Sequence, residues 1–297
     1  MIVVPPIEEE EAAGERDDDN NDINNDNVDD DDNNNSDNRQ MAKADRRYKR
    51  HERENRFLKK SSEDYQVIEE VFDKPTMMVI QKMINHGTIK SLQSHFAAGK
   101  ESKLFIAEGP DGSPPLAVKI YLTVSAEFKK RMQYIAGDPR FTEIKKDTRS
   151  FIAAWARKEF KNLKAAHNAG IRVPEPYAVE KNVLVMEFIG DDQGHLAEQL
   201  ENLKVTADDY RETVNQLTML YQKANLVHAD LSEYNVFKNP KGEIMLLDFG
   251  SAVDIRHPHS KQFLVRDVQN VNRFFTKRGI DVIDADQLVE KITTGSK

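Results

Sequence analysis

The order of apolar segments predicts an α+β protein in two lobes, a small antiparallel sheet with one long helix followed by a mainly helical part. Three observations carry this expectation. Two apolar runs, 104–107 and 116–121, flank a connection dense in turn residues (Gly109, Pro110, Asp111, Gly112, Ser113, Pro114, Pro115), the signature of a hairpin. Phe151, Trp155, Glu159 and Leu163 recur every four residues, which marks a helix over about 148–167 that ends near Gly170. A further apolar strand over 183–188 is followed by helical sequence over roughly 192–225.

With 297 residues the chain is long enough for one large domain or two lobes. It holds no cysteine, so disulfides and thiolate metal sites are excluded and a reducing, cytoplasmic setting is expected. No apolar run is long enough to span a bilayer, and Met1 to Ile7 lack a basic flank, so neither membrane partner nor secretory signal is expected.

The net charge of −8 averages two opposed regions. Residues 1–38 carry fifteen acids and one Arg, a net of −14, which leaves 36 acids and 42 basic residues, a net of +6, for the rest. The acidic segment, nearly all Glu, Asp and Asn from residue 8, cannot bury enough apolar surface to offset ordering entropy and is expected to be a disordered tail. Residues 39–63 form a basic extension, with ten Lys and Arg between Arg39 and Lys60, good helix propensity and no Pro or Gly. An exposed helix able to touch RNA phosphates fits, as does a merely solvated one.

From residue 64 the pattern becomes globular, and 64–189 reads as first helices plus sheet, with 190–290 as the second lobe. Val67, Ile68, Val71 and Phe72 share a helical face, and Pro75 opens a second helix that turns Met78, Val79, Met83 and Ile84 inward, with Gly87 at its end. A short strand over 89–92 leads to a turn at Gly99. The polar stretch 137–149 reads as a loose loop.

The chemistry is concentrated in His228-Ala229-Asp230-Leu231-Ser232-Glu233-Tyr234-Asn235, followed thirteen residues later by Asp248-Phe249-Gly250. Alone, the first is a turn and the second a strand ending. Together they place one carboxylate and one amide at kinase catalytic-loop spacing and a second carboxylate at the end of an apolar strand. Phosphoryl transfer needs metal ions on the phosphates, an acceptor hydroxyl held in line, and charge compensation. Asp230 is assigned to orient and deprotonate the acceptor, Asn235 and Asp248 to hold magnesium.

Lys119 lies within an apolar strand, sharing its face with Ala117 and Tyr121. Glu159 lies on the apolar stripe of the long helix, where an ionised carboxylate is costly unless paired, and Lys119 is the expected partner. Such a bridge presents the ammonium to nucleotide phosphates. Gly99 and Ser102 flank a loop placed to cover those phosphates, although the Walker A pattern is absent because Ser94 stands where its first Gly is needed. At the end of the 183–188 strand, backbone groups of Glu187 and Ile189 are expected to meet an adenine edge. His257-Pro258-His259, with no third ligand nearby, reads as a rigid turn.

These residues resemble a family. Ala98-Gly99-Lys100-Glu101-Ser102, Lys119-Ile120-Tyr121, Gly137-Asp138-Pro139-Arg140-Phe141, Lys158-Glu159-Phe160-Lys161-Asn162-Leu163, Met186-Glu187-Phe188-Ile189-Gly190 and the block from Leu226 to Asn235 together look like the RIO atypical protein kinases. The Gly-Asp-Pro-Arg-Phe loop and the late His257-Pro258-His259, Arg266-Asp267 and Asn270 block point to the type-one branch, and the likeness covers about 64–285. It implies a trimmed, bilobal protein-kinase-like fold without the usual activation loop, in keeping with the lack of Ala-Pro-Glu after Gly250. It also implies ATP-dependent serine phosphorylation using magnesium or manganese, autophosphorylation, and ATPase activity in small ribosomal subunit maturation with pre-ribosomal rRNA as partner. Asp248 is then the residue that can carry an aspartyl-phosphate. Two other readings compete: a small-molecule phosphotransferase of the aminoglycoside or choline kinase type, and a non-catalytic ribosome-assembly scaffold.

Overall fold

The computed structural model describes residues 72–98, 102–123, 131–141, 147–191 and 196–295. The acidic tail, the basic extension, the helical face expected over 64–71 and Gly99 lie outside them.

The first lobe is a five-stranded antiparallel sheet in the order β1-β2-β3-β5-β4. Its strands are β1 (Ser91–Ala98), β2 (Ser102–Glu108), β3 (Leu116–Tyr121), β4 (Pro176–Glu180) and β5 (Val183–Glu187). The expected hairpin is present, in register from Ser102↔Tyr121 to Ala107↔Leu116. β1 runs further than expected because register shifts between Leu92 and Ala97 break the two-residue alternation. β4 was not expected at all. It opens on Pro176 and none of its residues is fully buried, as suits an edge strand that tolerates proline.

Alternation sorts the sheet into two faces. Phe105, Val118, Ile120 and Val185 pack outward against α1 (Lys74–Asn85), which contributes Met77, Val79, Ile80 and Met83. Asp73 caps α1 by accepting the Thr76 N–H at 3.1 Å, Pro75 sits in its first turn, and Gly87 follows at φ +70°. Ile106, Ala117, Leu184 and Met186 point the other way, into a core shared with the second lobe. Lys119 has the parity of Ala117, so it too faces the junction of the lobes. Between β3 and β4 runs α2 (Thr148–Asn168), capped by Asp147 and burying Phe151, Trp155, Glu159 and Leu163 as the stripe predicts.

The second lobe holds α3 (Ala207–Gln222), α4 (Ser260–Lys277) and α5 (Ala285–Thr294), with a three-stranded sheet and a two-stranded ladder. The sheet is β6 (Glu198–Gln199), β8 (Val236–Lys238) and β9 (Ile244–Leu246); the ladder is β7 (Leu226–Val227) with β10 (Val253–Asp254). Helix does not fill 192–225. β6 and a 3-10 turn come first, and α3 starts only at Ala207, where Thr206 and Asp209 form a capping box. β6 exists because β8 pairs with it, a contact that local sequence does not reveal.

The stretch after Gly137 also differs from a loose loop. Asp138 is buried and paired with Arg140 at 2.6 Å, and Arg140 reaches Asn162 Oδ1 on α2 at 2.9 Å. Among the described residues no helix is long and apolar enough to cross a membrane.

Candidate active site

Lys119 and Glu159 meet as the spacing of their elements predicts. The Lys119 ammonium lies 2.9 Å from Glu159 Oε1 and 3.0 Å from Asp248 Oδ1, so a β3 cation joins an α2 carboxylate to the carboxylate beyond β9. Lys119 and Glu159 are buried, whereas the Asp248 side chain is 52% exposed toward the cleft. Burial opposes the charge on Lys119, but Asp248 and Glu159 outweigh it and hold the ammonium above its usual range. Partial desolvation in the cleft opposes the charge on Asp248, yet the Lys119 charge keeps its pKa below the ordinary carboxylate value. Glu159, the most enclosed of the three, is pushed up to about 7 by burial despite its partner.

Two residues flanking the chemistry adopt left-handed backbone without being glycine: Ala229 at φ +64° and Asp248 at φ +61°. Such conformations cost free energy and persist only where surroundings enforce them. At Ala229 the enforcement comes from α4. Buried Asp267 accepts the N–H of Ala229 at 2.7 Å and of Leu231 at 2.9 Å, clasping the backbone on either side of Asp230. Arg266 donates to the Ala229 carbonyl and Asn270 to the Leu231 carbonyl at 3.1 Å. Burial raises the Asp267 carboxyl to about 7.

His228 sits beneath both blocks. Its Nε2 donates to the Leu247 carbonyl at 2.9 Å, and its ring meets Phe249 edge-on with centroids 4.9 Å apart. Full burial lowers its pKa to about 4, which keeps it neutral. The residue before Asp248 is thereby tied to the residue two before Asp230.

The segment after Asp248 is fastened to α2. Lys158 donates to the carbonyls of Gly250 (2.9 Å) and Ala252, and Asn162 to those of Phe249 (2.9 Å) and Ala252 (2.8 Å). Lys158 is wholly buried, which depresses its pKa to about 7. Gly250 is required by contact, since a Cβ there would stand 2.9 Å from Trp155 Nε1. Asp267, Lys158 and Asn162 escaped the assignment of roles. The signal for the α2 pair was present: 158 and 162 are one turn apart beside the apolar stripe.

Asp230, Asp248, Lys119 and Ser102 line one cleft of about 250 Å³, together with Tyr121, Arg131, Gln133, Tyr134, Trp155 and Ser251. Desolvation within the cleft and the neighbouring Asp248 raise the Asp230 pKa, with Arg266 and Arg131 acting in the opposite sense. Glu159 stands behind Lys119 and does not line the cleft, nor do Asn235, Glu187 and Ile189. The Glu187 N–H is spent on the Glu175 carbonyl at 2.8 Å and the Ile189 carbonyl on the Ala197 N–H at 2.9 Å. That narrows the expected adenine contacts to the Glu187 carbonyl and the Ile189 N–H.

A hard divalent cation fits the donor set. Asn235 turns its amide nitrogen to the Asp230 carbonyl at 2.8 Å, which leaves its side-chain oxygen for a ligand role. Asp248 keeps a second oxygen after pairing with Lys119, and oxygen donors of this kind suit magnesium or manganese. His257, by contrast, is buried and bonded to the Ala136 carbonyl at 3.0 Å, a structural turn as expected.

Fold and site together define a phosphotransferase of the protein-kinase class in a trimmed, two-lobed form. Residues 103–288 match the RIO domain family, RIO1. The RIO-type serine/threonine-protein kinase Rio1 of Haloferax volcanii is 40% identical over 257 residues, covering 84% of this chain and 86% of that protein. The serine/threonine-protein kinase rio1 of Schizosaccharomyces pombe is 35% identical over 250 residues, 82% of this chain and 50% of its own length. The chain thus spans about half the length of that larger relative. A crystal structure of the Rio2 kinase–ADP/Mg2+–phosphoaspartate complex from Chaetomium thermophilum superposes with a TM-score of 0.55 at 19% identity, over 74% of this chain and 67% of that one. The chain belongs to the RIO family of serine/threonine-protein kinases, on its type-one branch.

The Asp267 clasp gives a testable consequence. Asp267→Asn sets an amide NH2 against one of the two backbone N–H groups, leaving a buried donor without an acceptor. Stability should fall by about 1–3 kcal/mol, and turnover should fall by roughly tenfold or more as Asp230 loses its fixed position. Urea unfolding and steady-state assays check this, and unchanged values for both would show that the clasp does not hold the loop.

Proposed function

We propose that this chain is an ATP- and magnesium-dependent serine/threonine protein kinase with ATPase activity, acting in small ribosomal subunit maturation. The observation that carries the catalytic part is the Lys119 ammonium held between Glu159 and Asp248 at 2.9 and 3.0 Å, with Asp230 lining the same cleft. In this reading Lys119 binds nucleotide phosphate, and Asp248 with Asn235 would hold the metal, which would supply neutralising charge to the phosphates. Asp230 orients the acceptor hydroxyl and takes its proton, which its raised pKa favours. Ser102 and Gly99 border the phosphate-covering loop, and the Glu187 carbonyl and Ile189 N–H receive the adenine edge. The ribosomal assignment rests on family membership and on the basic segment 39–60, whose ten cations suit an rRNA-rich partner.

Incubation with γ-labelled ATP and magnesium tests the proposal. Label is expected on serine as an acid-stable ester, on Asp248 as a hydroxylamine-sensitive acyl phosphate, and in released phosphate, all abolished by a chelator. Labelling and phosphate release no greater than in an Asp248→Ala variant would defeat it. Small alcohols and aminoglycosides should not stimulate phosphate release, because α4 and α5 bury Phe263, Leu264, Phe274, Leu288 and Ile292 in the core rather than walling a substrate pocket.

A further inference from the structure

We propose that the exposed cationic face of α4 seats the acidic segment 29–37 of this same chain and delivers Ser36 to Asp230 as a phosphoryl acceptor. The assignment rests on the phosphotransferase reading above and names an acceptor for it.

Arg266, Arg273 and Lys277 are spaced by seven and four residues along α4, so they fall on one stripe together with Gln262 and Gln269. All five are exposed. The helix holds a single carboxylate, Asp267, and it is buried in the clasp on the Asp230 backbone. The outer face is therefore cationic and amide only. Arg273 donates to the neutral Asn270 side chain at 2.9 Å. Among the described residues no carboxylate pairs with Arg273 or Lys277.

This strip starts at the reacting centre. Arg266 donates to the carbonyl of Ala229, next to Asp230, and its charge acts on the Asp230 carboxyl. Asn270, one turn on, holds the Leu231 carbonyl at 3.1 Å. From Arg266 to Lys277 the helix then carries positive charge about 16 Å further along.

The partner that complements such a strip is a chain dense in carboxylates. The sequence supplies one: residues 29–37 contain Asp29, Asp30, Asp31, Asp32 and Asp37, no cation, and Ser36. Ser36 is the only serine or threonine among the first 60 residues. An extended chain advances about 3.3–3.6 Å per residue, which sets Asp32 to Asp29 about 13–25 Å from Ser36. With Ser36 at Asp230, those four carboxylates come within reach of Arg273 and Lys277. Ser36 stands 36 residues before Phe72, a length that can span up to about 120 Å. Tethering also raises the local concentration of the segment. A nucleic acid would match the charge too, yet the segment alone brings a serine to the place where the strip begins.

In the transfer the Ser36 Oγ bonds to the γ-phosphorus of ATP, and its proton passes to the Asp230 carboxylate. The bond from the γ-phosphorus to the β,γ-bridging oxygen breaks, and its electron pair leaves with ADP.

Timed incubation of the full chain with ATP and magnesium, read by phosphopeptide mass spectrometry with phosphate release in parallel, tests this. Ser36 should become phosphorylated at a rate independent of protein concentration. Replacing Asp29, Asp30, Asp31 and Asp32 together by Asn, or Lys277→Glu alone, should slow labelling of Ser36 by roughly five- to twentyfold. Phosphate release should stay within about twofold of the parent, since neither change touches the cleft, and the labelling differences should shrink in about 1 M salt. If Lys277→Glu melts below assay temperature, the four-Asn variant decides. Ser36 left unlabelled by an active parent, or labelled at the parental rate in the four-Asn variant, would overturn the proposal. So would a rate proportional to protein concentration, which puts the acceptor on a second copy. Weakened binding of an RNA oligonucleotide by Lys277→Glu, with Ser36 unlabelled, would hand the strip to nucleic acid instead. A parent that transfers phosphate to no residue fails the phosphotransferase reading and this acceptor with it, whereas an active parent that spares Ser36 fails the acceptor alone.

Discussion

Replacing Asp230 with Ala should lower turnover by about 10²–10⁴-fold while ATP affinity stays within a few-fold of the parent. Asp230 lies on a backbone clasped by Asp267, Arg266 and Asn270, so its own side chain is not what holds the loop in place. On the proposed mechanism, removing it takes away the acceptor's base and a negative charge in the cleft, and the second loss favours ATP binding. Its raised pKa also predicts that turnover falls as pH drops and the carboxylate takes up a proton. The measurement is kcat and ATP dissociation constant across a pH series for parent and variant. Parent-like turnover in Asp230→Ala would remove this residue from the reaction.

Lys119→Met should be costly twice over. On the proposed mechanism, loss of the ammonium removes a phosphate contact, so both ATP affinity and turnover should fall, the latter by about 10²-fold or more. It also strips the counter-charge from Glu159, which is 1% exposed. Breaking a buried pair typically costs about 3–5 kcal/mol, but here the cost depends on pH. The folded-state pKa of Glu159, about 7, lies above the unfolded value of 4.5. The native protein therefore holds a proton that the unfolded chain has released, and this group's contribution declines as pH rises through that interval. Without Lys119 the pKa climbs further and the interval extends upward. Urea unfolding should show a larger loss for Lys119→Met near pH 8 than near pH 6, and Lys119→Met/Glu159→Gln should recover stability but not activity. Equal losses at both pH values would mean that Glu159 is not the group left unpaired.

The long helix was legible because its stripe is four-spaced and large: Phe151, Trp155 and Leu163 leave no doubt about which face is buried. Glu159 on that stripe demanded a cation, and Lys119, inside the apolar run 116–121, was the expected partner. Local patterning failed where pairing partners lie far along the chain. Glu198–Gln199 is a strand through β8, and Pro176–Glu180 is an edge strand through β5. The Gly137–Phe141 stretch is polar and rich in turn residues, yet Asp138 and Arg140 lock it to Asn162.

By itself the sequence carried the two-part α+β order and the family likeness, and it singled out Lys119, Glu159, Asp230, Asn235 and Asp248 as candidates, each on a pattern within a single element or loop. Only the tertiary structure decided what steadies them. Asp267 reaches back 36 to 38 residues to clasp the Asp230 backbone, and Lys158 and Asn162 hold carbonyls 87 to 94 residues away. Such bonds join side chains to backbone groups that every residue carries, so no residue type marks the receiving end. Their cause is the need to satisfy polar groups once burial has removed them from water.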